Sequence, residues 1–344
     1  MPAPFTVTFA SPASGNATPE TGRVPKDWWR GHARLLTVLS GLAAAAVIAW
    51  GSPQLKTQLL LLAVGVAVLG VPHGALDHVI GRRLLRRPLG PYWAPAFFGT
   101  YLGLAALVLV AWWHWPIASL VAFLGISALH FGLGDVRREL SASTLFPLEV
   151  AARGALPLAA PMLFHPQEVA HLFGALVAGP GPTAEAVWRY AAIIAAMLAP
   201  ALGWSLYHHA RRTFARAPGP HGEVIAEVLG LLVLFWAAPP LIAFLLYFCG
   251  WHSARHTLET AEELMPGPLR EGLSTFIRLA VPLTVATLAL AAVAWMLLTT
   301  HGQGVDPALL QVVFIGLAAL TVPHMMLCAA AQRLPEESPA SVRS

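Results

Sequence analysis

Charged side chains are scarce in this chain. Lys, Arg, Asp and Glu make up 11% of its 344 residues, against about 25% in a soluble domain. Together with 57% apolar residues and a mean hydropathy of +0.65, this excludes an ordinary soluble enzyme. Apolar runs recur along most of the length, which marks a polytopic membrane protein rather than a soluble domain on one anchor. Cysteine is scarcer still. Cys249 and Cys328 both lie in apolar segments, are too few for a zinc finger, and read as packed thiols rather than a disulfide. The net charge of +4 comes from basic residues in short inter-helix stretches, so no basic block points to nucleic acid. Residues 1–30 are rich in Pro, Ser, Thr and Gly and lack the basic start and apolar core of a signal peptide. They are expected to form a disordered cytoplasmic tail. Residues 31–331 then form one transmembrane helical domain and 332–344 a flexible C-terminal tail.

What the chain does have is ten apolar segments, at 33–51, 57–78, 92–112, 116–133, 147–163, 186–207, 223–238, 240–257, 275–298 and 307–330. Isolated segments in lipid must satisfy their own backbone hydrogen bonds, so the fold expected is an all-α transmembrane bundle of eight to ten helices. The lower count allows for two short segments and for a kink at Pro239-Pro240. With the N-terminus inside, one side carries Arg82, Arg83, Arg86, Arg87, Arg137, Arg138, Arg211, Arg212 and Arg216, and the other only Lys56 and Arg189. That asymmetry obeys the positive-inside rule through all ten crossings and places the chain in the cell membrane with its N-terminus cytoplasmic.

Against this apolar background stand histidines. The chain has 14, and His32, His114, His165, His171, His221 and His301 fall in tails, loops or interfacial ends, where solvated or structural roles are expected. His208-His209 reads as an interfacial cap beside Arg211 and Arg212. The remainder fall in His73-Gly74-Ala75-Leu76-Asp77-His78, His130-Phe131-Gly132-Leu133-Gly134-Asp135, Trp251-His252-Ser253-Ala254-Arg255-His256 and Pro323-His324-Met325. The helix frames put His73, His130, His252 and His324 roughly 18–25 Å from the outer face of a core about 30 Å thick. All four thus reach the cytoplasmic half. Imidazole is the commonest metal ligand and is costly to bury without a partner. His252 and His256, at i and i+4, share a helix face. A lone histidine on an apolar helix is more often a hydrogen-bonded core residue than a ligand, but convergence at one depth favours metal.

Asp77 follows His73 by four residues and shares its face, where a carboxylate would accept the second ring N–H of a ligand. Asp135 would serve His130 in the same way. The competing reading of each is an interfacial charge near arginines. His78 would point away from the bundle, His324 is an alternative ligand, and Arg153 would snorkel to the interface. An all-imidazole site suits iron, copper or zinc. Phe131, Phe244, Tyr247, Phe248, Trp251 and Met325 cluster around these segments. Singly they read as helix packing; together they would wall a pocket for a flat polyene.

The Pro72-His73-Gly74, Asp77-His78, His130-Phe131-Gly132, Asp135, Trp251-His252-Ser253, Arg255-His256 and Pro323-His324 pattern resembles the Brp/Blh family of membrane β-carotene 15,15'-dioxygenases over about residues 35–330. That resemblance implies a non-haem Fe(2+) held by His73, His130, His252 and His256. It implies all-trans-β-carotene and O2 as substrates and two molecules of retinal as product, with handover to an opsin-type protein. A carotene spanning the bilayer would centre on the midplane, whereas the histidines map nearer the cytoplasm. A lateral tunnel holding the substrate tilted or flat reconciles the two.

Other classes share part of the pattern. Di-iron membrane hydroxylases, ketolases and desaturases need ligands for two irons, whereas five or six well-placed histidines occur here and no HxxHH does. A histidine-lined transporter needs polar residues at every depth, and the outer halves of the histidine-bearing helices are nearly devoid of them. A structural, opsin-associated protein would need none of the histidines.

Overall fold

The computed structural model describes residues 27–136, 146–177, 183–217, 219–264 and 269–331, and the two expected tails lie almost wholly outside the described residues. Every described element is helical. In chain order these are α1 (Asp27–Trp50), α2 (Leu55–Gly65, Val66–Gly70 and Val71–Gly74), α3 (Asp77–Leu89), α4 (Trp93–His114), α5 (Pro116–Asp135) and α6 (Phe146–Phe164). There follow α7 (Pro166–Leu176), α8 (Ala184–Phe214), α9 (His221–Ala237), α10 (Pro240–Leu245, Leu246–Ser253 and Ala254–Leu264), α11 (Leu269–Thr300) and α12 (Val305–Ala331).

All ten apolar segments are helices. Six helical stretches among the described residues are long and apolar enough to cross a membrane: Trp29–Trp50, Leu55–His114, Pro116–Asp135, Glu185–Phe214, Arg270–Thr300 and Val305–Ala331. The second comprises α2, α3 and α4. Pro239-Pro240 is a true break rather than a kink: α9 ends at Ala237, Ala238 is extended, and Pro240 opens α10. Proline also opens α5 and α7, where its missing N–H has no helical partner to lose.

Two helices lie in stretches read from sequence as loops. The Arg82–Arg87 region is α3, and the 166–176 region is α7. An 11-residue helix reaches only roughly 16 Å and cannot cross; α7 instead buries Val169, Ala170 and Leu176 while Glu168 stays exposed.

Packing sorts the helices. α9 is central, burying Val224, Val228, Leu231, Leu234 and Phe235 among α1, α6 and α8. α11 is peripheral and presents Val281, Val285, Val293 and Met296 outward, as a lipid-facing helix does. α5 and α6 pack closely because Gly132 faces the Val150 carbonyl and Gly154 faces the Ala128 carbonyl, with no room for a side chain at either. Arg153 does not snorkel. It is buried and paired to Glu227 at 2.6 Å, and Arg255 joins the same carboxylate at 3.3 Å while its guanidinium lies 4.2 Å over the Trp29 ring.

Candidate metal centre and cavity

The site begins at two local irregularities. Pro72 lacks the N–H for an i→i−4 bond and crowds the carbonyl four residues back. The backbone widens ahead of it into the π-helical turn Val66–Gly70, where the Val71 N–H reaches Val66 O. α10 carries a second π-helical stretch, Leu246–Ser253, which ends on His252 and Ser253. Such stretches recur at functional sites because they re-aim side chains within a continuous helix.

Five imidazoles converge: His73 from α2, His130 from α5, His252 and His256 from α10, and His324 from α12. The His73 ring centroid lies 5.8 Å from His252, 5.6 Å from His256, 5.7 Å from His324 and 6.3 Å from His130. His130 lies 4.6 Å from His252 and 5.2 Å from His324. One ring nitrogen from each of His73, His130 and His324 falls within 4.8 Å of the other two, a group able to hold a metal ion. His130, His252 and His324 are buried, and His256 is half-buried.

Each ring has its Nδ1 engaged. His73 Nδ1 faces Gly70 O, His324 Nδ1 donates to Asp77 at 2.8 Å, and His252 Nδ1 donates to Asp135 at 3.1 Å. His130 Nδ1 lies 3.0 Å from Met325 Sδ, and His256 Nδ1 is 3.5 Å from Thr260 Oγ1. A donor Nδ1 leaves Nε2 as a bare lone pair. The Nε2 atoms of His252 and His130 stand 3.0 Å apart. Because His252 donates through Nδ1 to Asp135, its Nε2 is an acceptor, and at 3.0 Å it is placed either to take the His130 N–H or to share one ion with that ring, since about 3 Å is also the span of two ligands bonded at about 2.1 Å to one ion. The donor set therefore fits a metal.

The two carboxylates form matching relays. Asp77 accepts from Tyr101 at 2.9 Å, and Asp135 accepts from Tyr247 at 2.6 Å. A tyrosine thus fixes a carboxylate, which fixes an imidazole. The expected partners are corrected here. Asp77 serves His324 rather than His73, because the helix breaks at Ala75-Leu76 and the i+4 relation across that turn is lost. Asp135 serves His252 rather than His130. His78 does not point away; it lines the cavity and has its Nδ1 2.9 Å from Ala75 O. Tyr101 went unnoticed in the sequence. Its signal is a phenolic hydroxyl, next to Thr100, in an otherwise apolar α4.

A cavity of about 1500 Å³ opens from the histidines, larger than the range of about 300–1,000 Å³ typical of small-molecule sites. His73, His130, His324, Phe131, Phe244 and Phe248 line it, and its walls are otherwise mainly apolar side chains of α4, α5, α7, α11 and α12. Tyr247, Trp251 and Met325, expected on its wall, do not line it. Tyr247 is held by Asp135, Trp251 packs edge-on to His32, and Met325 faces the far side of His130.

His209 also departs from expectation, whereas His221 takes the structural role that was one of its two expected readings. Neither is a solvated cap: both are buried, their Nδ1 atoms are 2.8 Å apart, and His209 Nε2 is 3.2 Å from Glu149.

A family model described as beta-carotene 15,15'-dioxygenase matches residues 64–331. The chain is 32% identical over 262 residues to a beta-carotene 15,15'-dioxygenase of an uncultured marine bacterium, covering 76% of this chain and 90% of that protein. It is 30% identical to a probable beta-carotene 15,15'-dioxygenase, Blh, of Halobacterium salinarum, over 92% of this chain and 96% of that protein. A probable enzyme of the same name, Brp, from the same species is 26% identical over 84% of this chain and 88% of that protein. No solved structure matches the chain.

Proposed function

Because the chain belongs to the beta-carotene 15,15'-dioxygenase family and is a carotenoid-cleaving dioxygenase of that type, we propose that it splits the central 15,15' double bond of β-carotene with O2 at a non-haem iron, giving two molecules of all-trans-retinal. The observation that carries this reading is the ring of five imidazoles, each with Nδ1 engaged, at one end of a large apolar cavity. His73, His130, His252 and His256 would hold the iron, and His324, aimed by Asp77 and grouped with His73 and His130, is the further candidate ligand. When bound, the iron supplies the redox chemistry that brings O2 to the polyene.

The protein's own part is positioning and exclusion. Cleaving a C=C bond with O2 into two carbonyls moves no proton, so no acid or base is assigned. Phe131, Phe244 and Phe248 give the polyene flat partners beside the imidazoles. Buried Tyr247, Phe248 and Trp251 keep bulk water from the histidines. Regioselectivity then follows from where the cavity lets the chain of double bonds lie. The apolar exposed faces suit a lipid bilayer, from which a hydrocarbon enters laterally and into which retinal leaves, towards an opsin-type acceptor where one is present. The arginine asymmetry supports a reading in which the N-terminus and the histidines lie towards the cytoplasmic side of the cell membrane. Among the described residues the group whose three ligand atoms all lie within 4.8 Å of one another is His73, His130 and His324, which supports one metal rather than two.

The test is expression in cells that accumulate β-carotene, with pigments extracted and separated, wild type beside His252→Ala. Two retinal molecules per carotene lost, absent in the variant, is the expected result. Oxygenated carotenoids with an intact polyene would favour the hydroxylase or ketolase class. Unchanged β-carotene beside folded, membrane-inserted, iron-loaded protein would reject the reading.

A further inference from the structure

The histidine end of the cavity carries a hydroxyl that the fold does not use. Ser127 is 4% exposed, lies on α5 three residues before His130, and lines the cavity with it. In an apolar helix a serine or threonine hydroxyl turns back readily to the carbonyl four residues earlier. Thr37, Thr213, Thr299 and Thr321 do so here, at 2.7–2.9 Å. Ser127 does not, and among the described residues its Oγ has no hydrogen-bond partner. Ser253 also keeps an unpaired hydroxyl, but that oxygen is sealed in protein and Ser253 does not line the cavity; Ser127 Oγ is not among the sealed atoms.

Packing turns this hydroxyl towards the site. α5 is locked against α6 on the face of Ala128 and Gly132, where a carbonyl of each helix meets a glycine of the other. At about 100° per residue, Ser127, His130, Phe131 and Gly134 share a face well away from that contact. His130 and Phe131 line the cavity, and a side chain at Gly134 would touch His252. Helical side chains lean towards the N-terminus, so the His130 ring lies over the turn that carries Ser127. The neighbouring donors are spent. Tyr101 and Tyr247 donate to Asp77 and Asp135, Thr321 donates to Leu317 O, and each imidazole has its Nδ1 engaged. Buried polar atoms are nearly always paired, so an unpaired hydroxyl open to a cavity points to an acceptor that arrives with a ligand. β-Carotene, a hydrocarbon, brings no acceptor; dioxygen does.

We propose that Ser127 donates its O–H to dioxygen held beside the histidines and so orients it towards the polyene. The proposal rests on the iron and O2 reading above. Negative charge that gathers on oxygen during cleavage strengthens the bond, as with any donor aimed where charge develops. No proton leaves Ser127, and the balance stays one O2 and one C=C giving two C=O.

The experiment uses the full-length, Fe(II)-loaded enzyme in lipid nanodiscs, without carotenoid, with nitric oxide as the probe diatomic. The N–O stretch is read by infrared spectroscopy on samples prepared throughout in ordinary or in heavy water. In wild type the stretch should shift on deuteration. In Ser127→Ala, at equal iron content, it should move and lose that isotope sensitivity, and Ser127→Thr should restore it. The kcat/KM for O2 in β-carotene cleavage should fall roughly three- to tenfold in the alanine variant, the worth of one net hydrogen bond. A wild-type stretch insensitive to deuteration overturns the proposal without any variant. Sensitivity that persists in Ser127→Ala overturns it as well, because the donor is then water or another side chain. Wild type that binds no nitric oxide and leaves β-carotene intact overturns the underlying reading too, and is told apart because the other two failures leave both intact.

Discussion

Asp77 and Asp135 each hold one imidazole by its Nδ1 and are each held by a tyrosine hydroxyl. Removing either frees a ring to rotate and to change tautomer, and outer-shell partners of this kind are typically worth about 10–100-fold in metal affinity. Asp135→Ala is therefore expected to shift the Fe(II) loading curve, read as iron per protein at increasing free iron, by about that factor. Tyr247→Phe should shift it less, since the carboxylate stays in place. An unchanged loading curve in Asp135→Ala would mean that His252 is not a ligand. At this scale the sequence was partly legible. That carboxylates stand beside the histidines could be read from spacing. Which ring each serves could not, because the Ala75-Leu76 turn and the tertiary approach of α12 and α10 decide it.

Between helices, two devices fix the arrangement that brings the histidines together. α5, which carries His130, packs on α6 through Gly132 and Gly154, each facing a backbone carbonyl of the other helix. A carbonyl cannot swing aside as a flexible side chain does. Gly154→Leu is expected to force the helices apart and to remove folded protein from the membrane fraction, whereas Gly99→Leu, with open space around it, should be tolerated. Equal folded yields for the two would show that the crossing does not depend on close approach. The second device is Glu227 on α9, buried between Arg153 of α6 and Arg255 of α10. Glu227→Ala strands two buried guanidinium groups, and breaking such a pair from one side costs about 3–5 kcal/mol. A loss of that size should appear in reversible unfolding in mixed micelles; a loss near zero would mean that water reaches the arginines.

These devices were poorly legible beforehand. Apolar runs report which segments are helices but not which polar residue within them finds a partner, so Arg153 read as a snorkelling side chain. α3 and α7 escaped for a different reason. α3, with four arginines, is too polar to form an apolar run, and α7 is too short; α7 is helical because its Val169, Ala170 and Leu176 pack into the bundle rather than because it crosses lipid.

For the whole molecule, the architecture was legible and its orientation rests on the loops. Ten apolar segments become ten helices because lipid leaves the backbone no other way to satisfy itself. The arginines then choose a direction. Arg82, Arg83, Arg86 and Arg87 lie on α3, directly after the turn that follows His73, while Lys56 lies near the start of α2. If α2 runs from outside to inside, the histidine end of the cavity is near the cytoplasm, and the end lined by His301, Gln303 and Gln311 is near the outer face. Single cysteines test this, placed by Lys56→Cys and Arg83→Cys in a chain lacking Cys249 and Cys328. A membrane-impermeant maleimide added to intact cells should label the first and not the second, and permeabilised cells should label both. The reverse pattern would invert the enzyme and place the histidines on the outer side. It would leave the site chemistry untouched, because the imidazoles, their carboxylates and the cavity are set by contacts within the bundle rather than by the side of the membrane they face.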